Sequence, residues 1–299
     1  MTVLQTLSRN KMEKYQCKPY TENEFFSEDG LAVSEEEYWE KYYTHNEINY
    51  EWKNGYLEVI PMSDLKGCRS HRWLCEILDC YFTTFPNGTP VSLEIGFRLE
   101  LPGETCVRIP DIGIVINDNP VPIKDDDCSY KGIFDLCVES LSHSAKRHIT
   151  RDTDDKKKEY EGGGVREYYI LDARGIETAF YRLDKNGKYR KIRPGRGDII
   201  RSKVLPGFQF RVSDLYRRPS LEEMAEDEIY HKYVFPSYKK IKQRAEQEKQ
   251  RAEQAEERAE QAEKQLSETA RRMLDNGLDT ALIMKCTGLS AEQIAVLSS

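Results

Sequence analysis

Two apolar segments of this chain each adjoin an acidic residue, and this arrangement restricts the fold more than any other feature. Asp111 is followed by the apolar run 112–116, and Glu139 is preceded by the largely apolar run 134–138. Short runs of this kind are typical of buried strands. A carboxylate beside a buried strand is costly unless a partner compensates its charge. We therefore expect neighbouring strands that bring Asp111 and Glu139 close to a compensating group.

A divalent cation is the compensating group that the residue types favour. Two carboxylates on neighbouring strands repel each other, and a hard cation such as Mg²⁺ takes oxygen ligands from both. Asp111 and Glu139 are the predicted metal ligands, with the backbone carbonyl of Ser140 as an additional one, and Mn²⁺ is expected to substitute for Mg²⁺. The alternative is purely structural: Asp111 caps the start of a strand, and Glu139 pairs within the fold.

The chemistry that such a site favours is hydrolysis of phosphodiesters, which also needs a group to orient or deprotonate the attacking water. Many nucleases of the restriction-endonuclease type carry a lysine two residues after the strand glutamate, but that position is Leu141 here. A helix predicted over residues 152–162 places Lys156 and Tyr160 on one face. We predict that Lys156 orients the water. Asp152 is expected to cap this helix rather than to bind a ligand.

Other elements are predicted before this site. Ser34 and Glu37 have the spacing of a capping box, so a helix is expected to start at Ser34. Asn54-Gly55, between two short alternating segments, is the strongest short-range signal for a hairpin. Helical spacing predicts a further helix over residues 70–85. His71 in this helix is expected at a solvent edge or a cap, with substrate contact as the alternative.

The middle of the chain predicts a sheet. Alternating and apolar segments indicate strands at about 91–100, 107–116, 133–141, 167–172, 177–183 and 188–193. The single helix over residues 152–162 interrupts them as a crossover. This order predicts an α/β or α+β fold with a mixed sheet flanked by helices.

Basic residues are concentrated between Arg182 and Lys203, where nine of them stand against two acids. Interleaved tyrosines and a hairpin turn at Asn186-Gly187 are consistent with a surface that faces phosphates. The alternative is a solvated hairpin without a ligand. Nucleic-acid contact is predicted for Lys188, Arg190, Lys191, Arg193 and Arg196.

The C-terminal part has a different character. Arg-Ala-Glu-Gln recurs every seven residues from Arg244, with alanine at most core positions of the heptad. This pattern predicts a homodimeric coiled coil, and a solvated single helix acting as a spacer is the alternative. The last segment is interpreted as helix-turn-helix, either a DNA-binding unit or a helical hairpin that caps the coil. The predicted parts are a partly ordered leader (1–33), the main α/β domain (34–236), the coiled coil (238–268) and the helical tail (269–299).

Composition excludes several classes of protein. A net charge of −7 argues against a protein that coats nucleic acid through its overall charge. No apolar run approaches the length of a membrane span and no secretory leader is evident, so no membrane contact and a cytoplasmic location are expected. The eight cysteines form no CxxC pair, and we interpret them as reduced thiols rather than as disulfides or zinc ligands.

Several motifs occur in a fixed order: Val107-Arg108-Ile109-Pro110-Asp111, Val138-Glu139-Ser140-Leu141-Ser142, the stretch from Asp152 through Lys156 and Tyr160 to Asp172, and Leu205-Pro206-Gly207-Phe208. Over roughly residues 34–216 they resemble the Uma-two family of restriction endonucleases, within the PD-(D/E)XK nuclease superfamily. The resemblance implies a nuclease core with Asp111, Glu139 and a displaced Lys156 in the site. It also favours Glu51 as a further acid, although a glutamate beside a hairpin is otherwise a solvated strand residue.

The sequence thus predicts a metal-dependent endonuclease that hydrolyses DNA, with RNA as an open alternative substrate. A second hypothesis is a catalytically weak or inactive nuclease-fold module that binds DNA or a partner and oligomerises through its coiled coil. A third is an assembly protein whose active part is the coil.

Overall fold

The computed structural model describes residues 27–45, 48–92 and 94–297. It divides into two compact units, Met1–Pro236 and Ser237–Ser299. Most of the predicted leader lies outside the described residues. The described end of this leader lies along the edge of the hairpin at Asn54-Gly55. The Gly30 amide donates to the Leu57 carbonyl at 2.8 Å, and Ala32 forms a bridge with Tyr56.

The strands of the first unit are β1 (Tyr50–Lys53), β2 (Tyr56–Val59), β3 (Gly88–Ser92), β4 (Phe97–Leu101), β5 (Glu104–Arg108), β6 (Ile112–Ile116), β7 (Leu136–Ser140), β8 (Glu167–Leu171), β9 (Ala179–Leu183), β10 (Tyr189–Lys191), β11 (Ile199–Arg201) and β12 (Gln209–Arg211). Its helices are α1 (Glu35–Glu37), which continues as a π-helical turn (Tyr38–Tyr42), α2 (Leu65–Thr84), α3 (Lys146–Thr150), which continues as a π-helical turn (Arg151–Asp155), α4 (Lys156–Gly163), α5 (Asp214–Arg217) and α6 (Leu221–Glu226).

The strands form a six-stranded sheet in the order β10-β9-β8-β7-β6-β3, a four-stranded sheet in the order β2-β1-β5-β4 and the pair β11-β12. In the six-stranded sheet only β7 and β8 run parallel. Parallel neighbours need a crossover connection, and α3 and α4 provide it. The mixed sheet and its helices confirm the predicted α+β class.

A core of aromatic side chains lies under the six-stranded sheet. Phe97, Phe134, Tyr160 and Tyr168 are fully buried in one cluster. Gly113 makes room for it, since a Cβ there would lie 2.6 Å from the Phe134 ring. The glycine inside the apolar run 112–116 is therefore required by packing, and the core backs the strand on which Glu139 lies.

The sequence pattern placed two boundaries incorrectly. The predicted strand 91–100 is two strands, β3 and β4, and the predicted strand 107–116 is likewise two, β5 and β6, which belong to different sheets. The second break falls at Ile109-Pro110-Asp111, where proline offers no backbone donor to continue a ladder. The chain changes sheet at this point, and Asp111 lies at the junction.

Two helices begin earlier than predicted. The helix expected from residue 70 starts at Leu65, because the Asp64 side chain caps it by accepting from the Gly67 amide at 2.8 Å. The helix expected from residue 152 begins at Lys146. The two local signals at the N-terminal end hold: Ser34 accepts from the Glu37 amide, and Asn54 and Gly55 have φ of 47° and 88° in the hairpin turn.

The second unit contains three helices: α7 (Tyr238–Asp275), α8 (Thr280–Thr287) and α9 (Ala291–Leu297). The last turns of α7 pack with α8 and α9 around Ala270, Ile283, Leu289 and Ile294. By contrast, every side chain from 240 to 265 is exposed. No helix in the described part of the chain has the length and apolar character to span a membrane.

Candidate active site

Asp111 and Glu139 meet where β6 begins and β7 ends. Ile112 and Val138 are direct partners across the two strands, so the residues next to them, Asp111 and Glu139, lie opposite each other. Asp111 is half-buried and its Oδ2 accepts a 2.6 Å hydrogen bond from the Ser140 amide. Glu139 is 3% exposed. The antiparallel register therefore gathers the two acids that are separated by 28 positions in the sequence.

Lys156 lies among the acids. Its Nζ is 3.0 Å from Glu139 Oε1, 2.9 Å from Glu51 Oε1 and 3.7 Å from Asp152 Oδ1. The lysine reaches this position from the helix that begins at Lys146, which brings its ammonium to Glu139 in β7. The structure thus brings together Asp111, Glu139, Glu51 and Lys156, the four residues assigned catalytic roles from the sequence.

Tyr160 is one helical turn beyond Lys156 and holds the same carboxylate. Its hydroxyl donates to Glu139 Oε1 at 2.7 Å, and its ring is fully buried. Lys156 and Tyr160 therefore both contact Oε1 of Glu139, and no described residue donates to Oε2. The predicted i, i+4 face of this helix points into the site, and Tyr160 adds a positioning contact that the sequence did not assign.

Arg108 is the second residue whose role the sequence did not reveal. Its fully buried guanidinium donates to Glu51 Oε2 at 3.0 Å, to Glu159 at 2.6 and 2.8 Å, and to Glu58. The Ile109 amide donates to the other Glu51 oxygen at 2.9 Å. Glu51 is therefore fixed in place rather than solvated. The only sequence signal was an arginine inside an otherwise apolar segment.

Asp152 is not the N-cap that was predicted. The helix already begins at Lys146, and Asp152 falls in the π-helical turn Arg151–Asp155, where it is 4% exposed. Isolated π-turns inside α-helices are frequent at functional sites. This turn directs Asp152 inward, and Asp152 Oδ1 makes no hydrogen bond to any described residue.

Burial and charge act in opposite directions on these acids. Burial raises the pKa of Asp111 and raises the pKa of Glu139 far above its usual value, against the attraction of Lys156. Burial alone would also raise the pKa of Glu51, but Lys156 and Arg108 lower it to about 2. Burial would lower the pKa of Lys156, yet Glu139, Glu51 and Asp152 raise it above its usual value. Lys156 and Glu51 are thus a charged pair at neutral pH.

The buried carboxylate of Asp152 is expected to lower the stability of the fold at neutral pH. Burial raises its pKa from 3.8 to about 6, against the attraction of Lys156. The native protein therefore holds this proton more tightly than the unfolded chain, and stability falls as the pH rises from about 4 to about 6. In EDTA at pH 8, Asp152→Asn should raise the free energy of unfolding by roughly 1–3 kcal/mol, and the gain should disappear near pH 4.

Asp172→Asn is the matched control, because its effect on the free energy of unfolding is expected to have the opposite sign. Burial would raise the pKa of Asp172, but backbone amides and His143 lower it. Its contribution is present above pH 4 and is lost as the pH falls through its lowered pKa. Asp172→Asn should therefore destabilise the protein at pH 8. Urea unfolding at pH 4 and 8 measures both, and a loss of stability in Asp152→Asn at pH 8 would refute the assignment.

His71 reaches the site from α2. Its Nδ1 lies 3.2 Å from Ser140 Oγ and its Nε2 lies 3.4 Å from Cys75 Sγ. His71 also contributes to lowering the pKa of Asp111, against the larger effect of burial. His71 is not a helix cap, because α2 starts at Leu65. It is half-buried at the edge of the site, next to the end of β7, and contact with substrate stays a prediction.

The donor set suits a hard cation, although it is not gathered as a complete ligand shell. No described residue donates to Asp111 Oδ1 or Glu139 Oε2, which leaves one oxygen of each acid available. Carboxylate oxygens are the ligands that Mg²⁺ prefers. Within the described ranges, however, no group of three or more His, Cys, Asp or Glu side chains is spaced as a metal site. The Lys156 ammonium lies between Glu51 and Glu139 instead.

The predicted basic surface is only partly available for a ligand. Lys188 pairs with Glu161 at 2.8 Å and Arg190 pairs with Asp184 at 2.9 Å. Lys191, Arg193 and Arg196 are exposed and have no ion-pair partner in the described part of the chain. The hairpin itself is formed by β9 and β10.

Comparison with known proteins gives matches in sequence and in structure. Residues 264–299 match the C-terminal HTH domain of the Rpn/YhgA-like nuclease family. A crystal structure from Anabaena variabilis, described as "a putative nuclease belonging to DUF820", aligns with 56% of this chain and 90% of its own, at 15% identity and a TM-score of 0.44. No curated protein matches the sequence. Residues 35–213, more than half of the chain, match the Uma2 family, described as "Putative restriction endonuclease", and the chain belongs to this family.

Proposed function

We propose that this chain is a metal-dependent endonuclease that hydrolyses DNA phosphodiester bonds. The observation that supports this most directly is the position of Lys156, whose Nζ lies 3.0 Å from Glu139 and 2.9 Å from Glu51 at the end of the strand that faces Asp111. Membership of a family of restriction endonucleases supports the same reaction class.

Each residue of the site would have a distinct role in this reaction. Asp111, Glu139 and the Ser140 carbonyl would hold Mg²⁺, or Mn²⁺ in its place. When bound, the cation would neutralise phosphate oxygens and activate water. Lys156 is protonated because its pKa is raised, so it donates hydrogen bonds that orient the water and does not accept its proton. Tyr160 keeps Glu139 in one orientation.

Glu51 has an electrostatic role in this proposal. A pKa of about 2 makes its carboxylate a weak base at neutral pH. It fixes the Lys156 ammonium through a 2.9 Å contact and is itself held by Arg108 and the Ile109 amide. The catalytic role assigned to Glu51 is therefore to position and charge-balance the lysine.

Binding of DNA would involve two regions, one in each unit. Lys191, Arg193 and Arg196 form an exposed basic surface in the first unit, suited to phosphates through their charge. The second unit matches an HTH domain of a nuclease family, which supports DNA contact by α8 and α9. A cytoplasmic location stays a prediction from the sequence.

A second candidate function is a catalytically weak module that binds DNA without cutting it. One observation favours it: the described residues present no gathered three-ligand site, and the Lys156 ammonium lies among the acids. The full chain should be incubated with supercoiled DNA, single-stranded DNA and RNA in Mg²⁺, Mn²⁺ or EDTA. Cutting of DNA that needs the cation supports the nuclease. DNA binding without cutting in any condition would support the module.

Homodimerisation is proposed to use the exposed face of α7. Ala245, Ala252 and Ala259 follow one heptad register and are all exposed in this chain, as a coiled-coil seam without its partner would be. Ala252→Asp combined with Ala259→Asp should convert a dimer into a monomer in sedimentation experiments. Gln247→Asp combined with Gln254→Asp, outside the seam, should leave the dimer intact. A monomeric wild type would favour the single-helix spacer.

A further inference from the structure

A cleft of about 510 Å³ lies on the first unit between α2 and the segment that joins α5 to α6. Its lining includes Arg69, Arg72, Trp73, Glu76, Arg218 and Glu222. None of these residues belongs to the site formed by Asp111, Glu139 and Lys156. Three arginines in one cleft are therefore without a role in the chemistry proposed above.

Two hydrogen bonds fix the walls of this cleft. Ser70 Oγ donates to the Leu215 carbonyl at 3.0 Å, and Trp73 Nε1 donates to the Pro219 carbonyl at 3.3 Å. Both donors are buried and belong to α2, whereas both acceptors belong to the opposite wall. The cleft is thus held in shape by contacts beneath it, while Arg69 and Arg72 stay exposed above.

The arginines of the cleft have no carboxylate partner, unlike most other described arginines of the first unit. Ten described arginines of the first unit have a carboxylate oxygen within 4.0 Å: Arg98, Arg108, Arg147, Arg151, Arg166, Arg174, Arg182, Arg190, Arg211 and Arg217. Among the described residues, Arg69, Arg72 and Arg218 have no such partner. In the described part of the first unit, the others without one are Arg193, Arg196 and Arg201, all between Arg182 and Lys203. Unpaired arginines of the first unit therefore occur in two places, and the sequence indicated one of them.

The chemistry of the cleft favours an extended polyanion over a compact one. Arg69 and Arg72 are three residues apart on α2, so their Cβ atoms lie about 5–6 Å from each other, and Arg218 stands on the opposite wall. Glu76 and Glu222 in the lining would repel a small, highly charged anion. A phosphodiester chain carries one charge per nucleotide, and separate guanidinium groups can contact successive phosphates.

The same helix connects the cleft to the candidate active site. His71 and Cys75 of α2 face the site, where His71 lies 3.2 Å from Ser140. Arg69, Arg72 and Trp73 lie on another face of that helix and line the cleft. An α-helix with its side chains is about 10–12 Å across, which a few nucleotides can span.

We propose that this cleft binds the phosphodiester backbone of the nucleic-acid substrate through Arg69, Arg72 and Arg218. The proposal rests on the nuclease function above and adds a backbone-binding surface to it. The bound strand extends from the site across α2 into the cleft.

The test is DNA binding by the full chain in EDTA, which prevents cutting. Fluorescence anisotropy with a labelled duplex and a labelled single strand would compare wild type with Arg69→Gln/Arg72→Gln between 50 and 200 mM salt. Lys41→Gln/Lys124→Gln removes the same charge from exposed lysines elsewhere and is the control. The arginine variant should bind about tenfold more weakly, and its slope of log affinity against log salt should be smaller by about 2, whereas the control should match wild type.

Three outcomes would overturn the proposal. If the arginine variant and wild type bind DNA equally well, and wild type cuts DNA in Mg²⁺, the proposed binding by the cleft is refuted and the nuclease function stands. Weaker binding with an unchanged salt slope, or with a lowered melting temperature, would show an indirect structural effect. A wild type that neither binds nor cuts DNA would refute both the cleft and the nuclease function.

Discussion

Cleavage of DNA is expected to slow by about a thousandfold when Lys156 is replaced by methionine. Methionine keeps much of the length of the side chain but cannot donate hydrogen bonds to water. It also leaves Glu51 and Glu139 without the cation that lies 2.9 and 3.0 Å from them. Initial rates of nicking of supercoiled DNA in Mg²⁺ measure the effect.

Lys158→Met is the control for this variant. Lys158 is two residues away on the same helix and is exposed, so its loss should leave the rate near that of wild type. Lys157 is a less suitable control because its Nζ lies 4.5 Å from the centre of the Tyr181 ring. Equal losses in Lys156→Met and Lys158→Met would mean that the helix contributes general positive charge. The predicted water-orienting role would then be wrong.

The largest loss of stability is expected from Arg108→Met, at about 3–5 kcal/mol, because this change leaves buried carboxylates without their partner. Arg108 is fully buried and contacts Glu51, Glu159 and Glu58. Lys53 stays near Glu159 at 2.7 Å and offsets part of the loss there. Denaturant unfolding of both proteins at pH 8 measures the difference.

Arg98→Met provides the comparison for a surface arginine. Arg98 pairs with Glu35 and Glu100 but is exposed, so its removal should cost about 0–1 kcal/mol. The loss in Arg108→Met should also shrink as acid protonates the glutamates. Arg108 is one of the groups that lower the pKa of Glu51, so Glu51 takes up its proton at a higher pH in this variant than in wild type. A cost for Arg108→Met no larger than that for Arg98→Met would contradict the buried network.

The core of the site could be predicted because its signals are local. Apolar runs bordered by Asp111 and Glu139 indicated strands with acids at their ends, and the i, i+4 spacing of Lys156 and Tyr160 placed both on one helix face. The structure places these four side chains together. Their roles in catalysis stay predictions until the variants are measured.

What the sequence missed depends on contacts between distant parts of the chain. Arg108 reaches Glu51 and Glu159, residues 57 and 51 positions away, and no local pattern selects those partners. Acids are common at helix starts, which favours Asp152 as an N-cap, yet the helix begins at Lys146 and Asp152 is buried in the π-helical turn. The change of sheet at Pro110 was hidden because only three residues separate the two strands.

Counting basic residues was also insufficient to locate the binding surface. Lys188 and Arg190 contribute to the local charge but are paired with Glu161 and Asp184. Arg69 and Arg72 stand with Lys66 in a stretch of three basic residues on α2, which is shorter than the stretch of nine between Arg182 and Lys203. Only the arrangement of carboxylates in space distinguishes paired arginines from those available to a phosphate.

The most direct test of the central claim is metal-dependent DNA cleavage by wild type and Glu139→Gln, purified identically. The substitution keeps the size of the side chain and replaces the carboxyl group that Lys156 and Tyr160 contact with an amide. We predict that wild type nicks supercoiled DNA in Mg²⁺ or Mn²⁺ and stops in EDTA, and that Glu139→Gln does not cut in any condition. Cutting by Glu139→Gln at the wild-type rate would show that the acids at the end of β7 are not the catalytic centre.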